Sequence, residues 1–276
     1  TIVGGLAGDS LTDADYNVAI GTAALTADTK GSRSVAIGQS ALGTQNFTTA
    51  TEVYNTAVGM NAGAAITTAV QNTILGGLAG DALTTGSQST FIGYSAGTAT
   101  VDGTENTALT NDDLGSHSVA IGRMALENQN YATATNSYNV AIGSNAGSQI
   151  TTGTRNTLIG GLAGDALTDA DSNVAVGTNA LGGDTKGNKS IAIGQGSLFL
   201  QNFTTATDTF NVAIGHEAGL NVTTGQFNTL VGARSGDAMT TGYSNTCIGI
   251  DAMGNATVTG NSNTAVGTTA GFNLTS

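Results

Sequence analysis

The sequence is poor in several residue types, and each scarcity excludes a class of protein. Its 276 residues include no Pro and a single Cys, which excludes collagen and an intrachain disulfide framework. Lys and Arg number 7 against 19 Asp and Glu, so the net charge is −12 and the basic surface that nucleic-acid binding needs is missing. No apolar run approaches membrane-spanning length. We therefore expect no nucleic-acid partner and no membrane insertion.

Large apolar side chains are scarce as well. Apolar residues make up 39% of the chain and many are Ala, there is no Trp, and 41 residues are Gly. A thick globular core needs large side chains, so this composition does not predict one. The apolar residues are nevertheless periodic, which argues against disorder.

A short repeat accounts for this periodicity. The unit is [N/S]-x-x-[V/I/L]-G-x-x-[A/S], as in NVAIGTAA (17–24), NTAVGMNA (55–62) and NVAIGSNA (139–146). Fourteen full copies and a truncated TIVGGLA at the start give about 15 units, most of them 17 residues long. Seventeen residues are too few for a helix-turn-helix repeat and suit one coil of a parallel β-solenoid. An all-β fold is the expectation, each coil having a strand, a turn, a second strand and a return.

The Gly that follows the strand occurs in every unit, for example Gly21, Gly38 and Gly59. Either the chain turns there with positive φ, or neighbouring backbone approaches too closely for a Cβ atom. The Ala or Ser three residues later is expected to be a small inward-facing residue.

Both faces of the strand are apolar or small. In NVAIG, Val18 and Ile20 point one way and Ala19 the other. A strand that is apolar on both faces is buried on both, so one face fills the solenoid and the other needs a partner, most simply identical copies around an axis. We therefore predict an obligate homotrimer. Its trimer-facing apolar residues are expected at the third position of the unit, which holds larger side chains or Cys at Ile2, Ile74, Phe91, Leu158, Leu230 and Cys247.

A longer period groups the units. GGLAGD-type segments begin at residues 4, 76, 160 and 232 and divide a single solenoid domain, 1–276, into blocks 1–71, 72–155, 156–227 and 228–276. The second block carries extra residues around 104–117, which are either an excursion or a degenerate sixteenth coil. Because the chain starts in mid-pattern, we expect it to be a segment of a longer chain.

These units resemble two related families. The coils N-T-A-V-G-x-x-A-G followed by T-T-G, as in 55–63 and 139–153, are similar to the shaft of bacteriophage tail fibres. They also resemble the head repeats of trimeric autotransporter adhesins, which typically have shorter coils. The resemblance covers nearly all residues, although no coiled-coil stalk, membrane anchor or fibre-maturation chaperone domain is recognisable. It implies a left-handed β-roll, a homotrimer, and a virion tail fibre or an extracellular, cell-surface location.

Catalysis and cofactors are not expected. The two histidines, His117 and His216, are about a hundred residues apart in sequence, and no nucleophile elbow, HExxH or P-loop is present. Thr clusters as pairs in turns rather than as a strand rank of the kind that binds ice. Paired carboxylates in TDAD turns make weak candidates for a metal site at Asp13, Asp15, Asp169 and Asp171, with TNDD (110–113) similar. Two side chains offer too few oxygens for Ca²⁺, so solvated turn residues are the favoured interpretation.

Aromatic residues bracket a four-residue insert in the three longest coils. QNFTTATEVY (45–54), QNYATATNSY (129–138) and QNFTTATDTF (201–210) share this pattern. One interpretation is contact with host-surface glycans, since aromatics on polar loops stack on sugar rings. The favoured one is a stiffening clasp within or between chains, because the pattern repeats evenly along the chain. The residues concerned are Phe47, Tyr54, Tyr131, Tyr138, Phe203 and Phe210.

The sequence thus predicts a non-enzymatic structural fibre: a segment of a trimeric phage tail fibre that gives reach and attachment to the host cell surface. The alternatives are a bacterial trimeric surface adhesin head and, more distantly, a glycan- or ice-binding solenoid module.

Overall fold

The computed structural model describes residues 1–97, 106–108, 115–133, 135–255 and 259–273. It is an all-β parallel β-solenoid of about 14 turns with a spacing of about 17 residues, and no helix occurs in the described residues. The contacts divide the chain into two compact units. Unit 1 comprises Thr1–Arg123 and Gln129–Ser137, and unit 2 comprises Met124–Asn128 and Tyr138–Ser276.

The main ladder of unit 1 is parallel and follows the repeat. Its strands occur in the order β1-β2-β4-β6-β7-β8-β9-β11, and a two-stranded parallel ladder joins β3 to β5 and another joins β10 to β12. Asn106 precedes the short strand β9, which lies between β8 and β11, so the extra residues of the second block include a sixteenth strand of the repeat. The strands are β1 (Ile2–Val3), β2 (Val18–Ile20), β3 (Gly31–Ser32), β4 (Val35–Ile37), β5 (Thr51–Glu52), β6 (Thr56–Val58), β7 (Thr73–Leu75), β8 (Thr90–Ile92), β9 (Thr107–Ala108), β10 (Gly115–Ser116), β11 (Val119–Ile121) and β12 (Thr135–Asn136).

Unit 2 has the same arrangement. Its main parallel ladder runs β13-β14-β15-β17-β19-β20-β21-β22, and β16 pairs with β18. The strands are β13 (Val140–Ile142), β14 (Thr157–Ile159), β15 (Val174–Val176), β16 (Gly187–Asn188), β17 (Ile191–Ile193), β18 (Thr207–Asp208), β19 (Val212–Ile214), β20 (Thr229–Val231), β21 (Thr246–Ile248) and β22 (Thr264–Val266).

The expected second strand of each coil is found only beside the long coils. The described 17-residue coils that do not precede a long coil complete their circuit through turns, whose backbone groups still bond to the next coil: the Thr67 amide donates to the Thr84 carbonyl at 3.0 Å. The four extra residues of a long coil let Thr51–Glu52 run straight enough to pair with Gly31–Ser32. The insert therefore adds a strand where other coils have only turns.

Both explanations of the corner Gly are correct. Gly21 has φ of 130°, in the region that side chains disfavour, and a Cβ atom there would lie 2.6 Å from the carbonyl carbon of Gly38 in the next coil. The small residue after the corner is inward as predicted, since Ala24 and Ala41 are fully buried.

The strand faces alternate as predicted, but the prediction of which face meets another chain was wrong. The third position points into the chain's own interior: Ile74, Phe91 and Leu158 are fully buried within the single chain, and so are Leu230 and Cys247. The sixth residue of that set, Ile2, pairs with Ala19 and so occupies the same position, although half of its side chain is exposed. Pattern alone does not tell the two apolar faces of a strand apart. The turn that follows the strand decides which face is internal, because its Gly and Ala residues let the chain fold back over the side chain at the third position of the repeat.

The interior is filled by matching large residues to small ones. Where the third position of the repeat carries a large side chain, the fourth residue after the corner Gly is also Gly. A Cβ atom at Gly97, for example, would lie 2.6 Å from the Phe91 ring. In several coils whose strand carries Ala, as at Ala36, the corresponding residue of the preceding coil is a buried Leu such as Leu25. Large and small residues therefore alternate in filling the interior at these positions.

The Asn that opens most units forms a buried ladder. The Asn55 amide donates to the Ala69 carbonyl at 2.8 Å, and its side-chain oxygen accepts from the Asn72 backbone amide at 2.9 Å. Each such Asn thereby satisfies one backbone group of its own coil and one of the next coil. This explains the first position of the repeat.

The long coils replace that Asn with a different network. Ser34 stands at the Asn position, which makes room for the side chain of Gln45 from its own coil; the Gln45 amide donates to the Ser34 hydroxyl at 3.2 Å and to the carboxylate of Asp28, in the preceding coil, at 2.6 Å. Asp28 is fully buried, and its other oxygen accepts from the backbone amides of Gly31 and Phe47, each at 3.0 Å. The insert is thus held by a buried carboxylate.

Candidate functional site

The most extended surface feature of each unit is a row of aliphatic side chains at the fourth position of the repeat, here called the outer aliphatic ladder. Adjacent strands pair in register, so Ile193 lies between Val176 and Ile214, and Ile193 and Ile214 keep 36% and 38% of their surface exposed. A central strand position that carries Ile or Val with this exposure is an apolar surface without cover in the single chain. The members are Val3, Ile20, Ile37, Val58, Leu75, Ile92 and Ile121 in unit 1, and Ile142, Ile159, Val176, Ile193, Ile214, Val231, Ile248 and Val266 in unit 2.

A second row is formed by the residue that precedes the opening Asn or Ser of each repeat unit, and it is here called the pre-strand ladder. Its residues have positive φ without being Gly, for example Tyr16 (61°) and Arg33 (65°). This conformation turns side chains of every kind outward at the same edge of successive coils. The described members are Tyr16, Arg33, Tyr54, Gln71, Gln88 and His117 in unit 1, and Tyr138, Arg155, Ser172, Lys189, Phe210, Phe227, Ser244 and Ser262 in unit 2.

In unit 1, three residues of this ladder contact one another or share a contact with Glu52. The guanidinium carbon of Arg33 lies 5.0 Å from the centre of the Tyr16 ring and 5.7 Å from that of Tyr54. Glu52 accepts from Arg33 Nε at 3.1 Å and from the Tyr54 hydroxyl at 2.8 Å. The Tyr54 hydrogen bond, followed by the Arg33 charge, lowers the pKa of Glu52, and the same hydrogen bond raises the pKa of Tyr54. A shallow groove beside these residues also includes Asp15.

In unit 2 the ladder includes a stack of two aromatic rings beside a lysine. Lys189 Nζ lies 5.1 Å from the centre of the Phe210 ring and forms an ion pair with Asp208 at 2.5 Å. The Phe210 and Phe227 rings stack with their centres 5.6 Å apart and an interplanar angle of 17°. Both rings are about half exposed.

A small cleft adjoins this aromatic stack. It has a volume of about 200 Å³ and is lined by Thr224, Gln226, Phe227, Thr241 and Tyr243, none of which is charged. Phe227 and Tyr243 are each 51% exposed. The backbone is held from coil to coil, since Ser244 donates to the Gln226 carbonyl at 2.9 Å and Ser262 donates to the Tyr243 carbonyl at 3.0 Å. The lining of the cleft is therefore uncharged and includes two half-exposed aromatic residues.

In each of the three aromatic pairs that bracket an insert, the two residues differ in their exposure to solvent. The first of each pair is buried and the second is about half exposed on the pre-strand ladder. An aromatic that opens the insert therefore serves the fold, and one that closes it is available at the surface. The buried residues are Phe47, Tyr131 and Phe203, and the exposed ones are Tyr54, Tyr138 and Phe210.

Sequence reasoning missed Tyr16, Arg33, Phe227 and Tyr243. The first three could have been found by aligning the residue that precedes each [N/S], because this position is aromatic or cationic in many units. Tyr243 lies one residue earlier in its coil and carries no such signal.

Two of the four candidate acidic turn residues contact neighbouring side chains. Asp171 accepts from the Thr154 hydroxyl at 2.8 Å, and Asp169 forms an ion pair with Lys186 at 3.4 Å. Asp13 and Asp15 are exposed. No group of three or more His, Cys, Asp or Glu side chains in the described part of the chain is arranged to hold a metal ion, and TNDD (110–113) lies outside that part.

Two further residue types are used internally. The first Thr of the turn pairs donates its hydroxyl to the next coil, as Thr151 does to the Thr168 carbonyl at 3.3 Å and Thr223 to the Thr240 carbonyl at 3.1 Å. Cys247 lies inside the solenoid with its sulfur 3.3 Å from that of Met253, and burial raises the pKa of its thiol to about 12. The first hydroxyl of each of these Thr pairs is therefore used between coils, and Cys247 stays a protonated core residue at neutral pH.

No protein-family model matches the chain, and no curated protein matches it either. Across the described ranges, no helix is long and apolar enough to cross a membrane.

Proposed function

We propose that this chain is a segment of a homotrimeric fibre, a phage tail-fibre shaft that provides reach and attachment to the host cell surface. The observation that carries the proposal is the outer aliphatic ladder. Its residues are aliphatic side chains on the strands of a parallel ladder, most of them between two neighbouring strands, and parallel β-structure is normally covered on both faces. Three copies around an axis would cover these ladders with identical surfaces.

The hydrogen bonds between neighbouring coils support a mechanical role. Within each unit, the buried Asn ladder and the parallel pairing of the described strands connect neighbouring coils, so stability accumulates coil by coil. A repetitive shaft of this kind presents binding elements in several copies, which raises avidity at a cell surface. The tail-fibre assignment itself rests on the resemblance of the coils, and places the protein in the virion. The same resemblance leaves a bacterial trimeric surface adhesin as the second candidate.

The substitution Ile193→Asp tests whether other copies of the chain cover the outer aliphatic ladder. It introduces a charge among Val176 and Ile214, and we expect the trimer to dissociate because an unpaired charge is costly to bury. Thr204→Asp is the control, since Thr204 is an exposed turn residue. Sedimentation velocity at micromolar concentration gives the mass of each variant. A stably folded wild-type monomer, or a trimer unaffected by Ile193→Asp, would contradict the proposal.

The two candidate fibres differ in what adjoins this segment in the full gene. A virion-attachment domain with a maturation chaperone indicates the tail fibre, whereas a signal peptide with a membrane anchor indicates the adhesin. Sequencing the complete gene decides between them.

A further inference from the structure

We propose that the cleft between Phe227 and Tyr243 binds a neutral pyranose sugar of the host surface. This rests on the proposed attachment function and names the ligand class and the site on the shaft.

The first argument is the shape and lining of the cleft. Two half-exposed rings border a space of about 200 Å³, smaller than the ~300–1,000 Å³ pockets that accept drug-sized ligands. A single sugar ring has an apolar C–H face that packs on an aromatic ring and an edge of hydroxyl groups. Phe227 supplies an apolar wall that its stacking on Phe210 holds in place, so little side-chain freedom is lost on binding.

The second argument is the set of polar groups. Thr224, Gln226 and Thr241 offer two hydroxyl groups and an amide, which both donate and accept hydrogen bonds as sugar hydroxyls require. No Lys or Arg lines the cleft to pair with a carboxylate or sulfate, and the whole chain has a net charge of −12. The site therefore selects neutral sugars over sialic acid or sulfated sugars.

The third argument is the contrast with the groove of unit 1. There, Glu52 already accepts from Arg33 and Tyr54, and Arg33 lies over two tyrosine rings. A ligand would have to replace these contacts. The cleft beside Tyr243 has no charged lining residue, so a ligand there would not have to replace an ion pair of the lining.

The experiment uses saturation-transfer difference NMR on the whole chain with D-glucose, D-galactose, N-acetyl-D-glucosamine and, as the anionic probe, N-acetylneuraminic acid. We expect at least one neutral sugar to bind in the millimolar range, as a shallow one-ring site allows. The anionic sugar should bind at least about fivefold more weakly.

Three variants locate the site. Tyr243→Ala should weaken binding at least about tenfold, and Tyr243→Phe should change it less than about threefold because the ring remains. Tyr94→Ala is the matched control, since Tyr94 is an exposed tyrosine (75%) of unit 1 that lines no part of this cleft. It should bind as the wild type does.

The mass of each variant, from sedimentation velocity, separates the two proposals. A wild-type trimer that binds none of the neutral sugars, or binds them equally after Tyr243→Ala, overturns the sugar site and leaves the fibre standing. Loss of the trimer in Tyr243→Ala also overturns it, because the ring would then serve the contact between chains. A monomeric wild type overturns the fibre, whatever the sugar result.

Discussion

The long coils of the two units are nearly the same inside and different outside. Asp28 and Asp184 are both fully buried and each accepts from the same three kinds of donor: a Gly amide, a Phe amide and a Gln side chain. At the surface, Tyr54 bonds to Glu52, whereas Phe210 has no hydroxyl and stacks on Phe227 instead.

The difference shows how this chain separates folding from surface chemistry. Burial makes each polar partner of the carboxylate obligatory, because an unsatisfied buried group is costly. The pre-strand ladder has no such constraint, since its residues need only tolerate positive φ and face solvent. One coil geometry can therefore present a tyrosine bonded to a carboxylate in unit 1 and two stacked phenylalanine rings in unit 2.

The largest expected effect tests the shared interior. Asp28→Ala leaves two backbone amides and the Gln45 amide without their acceptor, and should destabilise the protein by about 3–5 kcal/mol. Asp184→Ala should cost the same to within about 1 kcal/mol, as measured by denaturant midpoints at one chain concentration. Asp13→Ala, an exposed turn residue, is the control and should leave the midpoint unchanged. Unequal losses would show that the two interiors are not equivalent.

A smaller effect is expected from filling the space beside each carboxylate. A Cβ atom on Gly31 would clash with Asp28 Oδ2, and one on Gly187 would clash with Asp184 Oδ2. Gly31→Ala and Gly187→Ala should each cost about 1–3 kcal/mol, as overpacking does. Gly5→Ala serves as the control, because a Cβ there meets nothing within 4 Å. If neither substitution lowers the stability, the buried network can move aside for a methyl group at little cost.

The exposed cations should matter much less. Arg33→Ala and Lys189→Ala remove surface ion pairs and contacts with aromatic rings, and each should shift the melting temperature by about 2 °C or less. Scanning calorimetry gives both shifts. A much larger loss for Arg33→Ala alone would show that its two-ring contact stabilises the fold.

The smallest effect concerns titration. Tyr54→Phe removes the main cause of the lowered Glu52 pKa, so that pKa should rise toward its ordinary value while the pKa of Asp208, lowered chiefly by Lys189, stays unchanged. A lowered folded-state pKa gives stability above the unfolded-state pKa that is lost as pH falls through the folded value. Tyr54→Phe should therefore reduce the acid dependence of stability slightly. Carbon-13 NMR of the carboxyl groups measures both pKa values, and an unmoved Glu52 contradicts the assignment.

The repeat spacing was enough to predict a parallel solenoid, because 17-residue coils with a recurring Gly corner leave few other ways to pair strands. The inward Ala24 and the alternation of Val18, Ala19 and Ile20 followed from the same pattern. The candidate site was predicted only in part: Tyr54 and Phe210 were singled out, but Phe227 and Tyr243 were not.

The sequence by itself determined the coil length, the parallel pairing and the position of the corners, since local backbone geometry and strand period decide these. Only the tertiary structure decided which apolar face is internal, because both faces of VAI are apolar and closure of the turn selects one. It also decided that Phe47 is buried while Tyr54 is exposed, and that Phe227 and Tyr243 border one cleft. These outcomes depend on how one coil lies on the next, and sequence spacing within a coil does not contain that information.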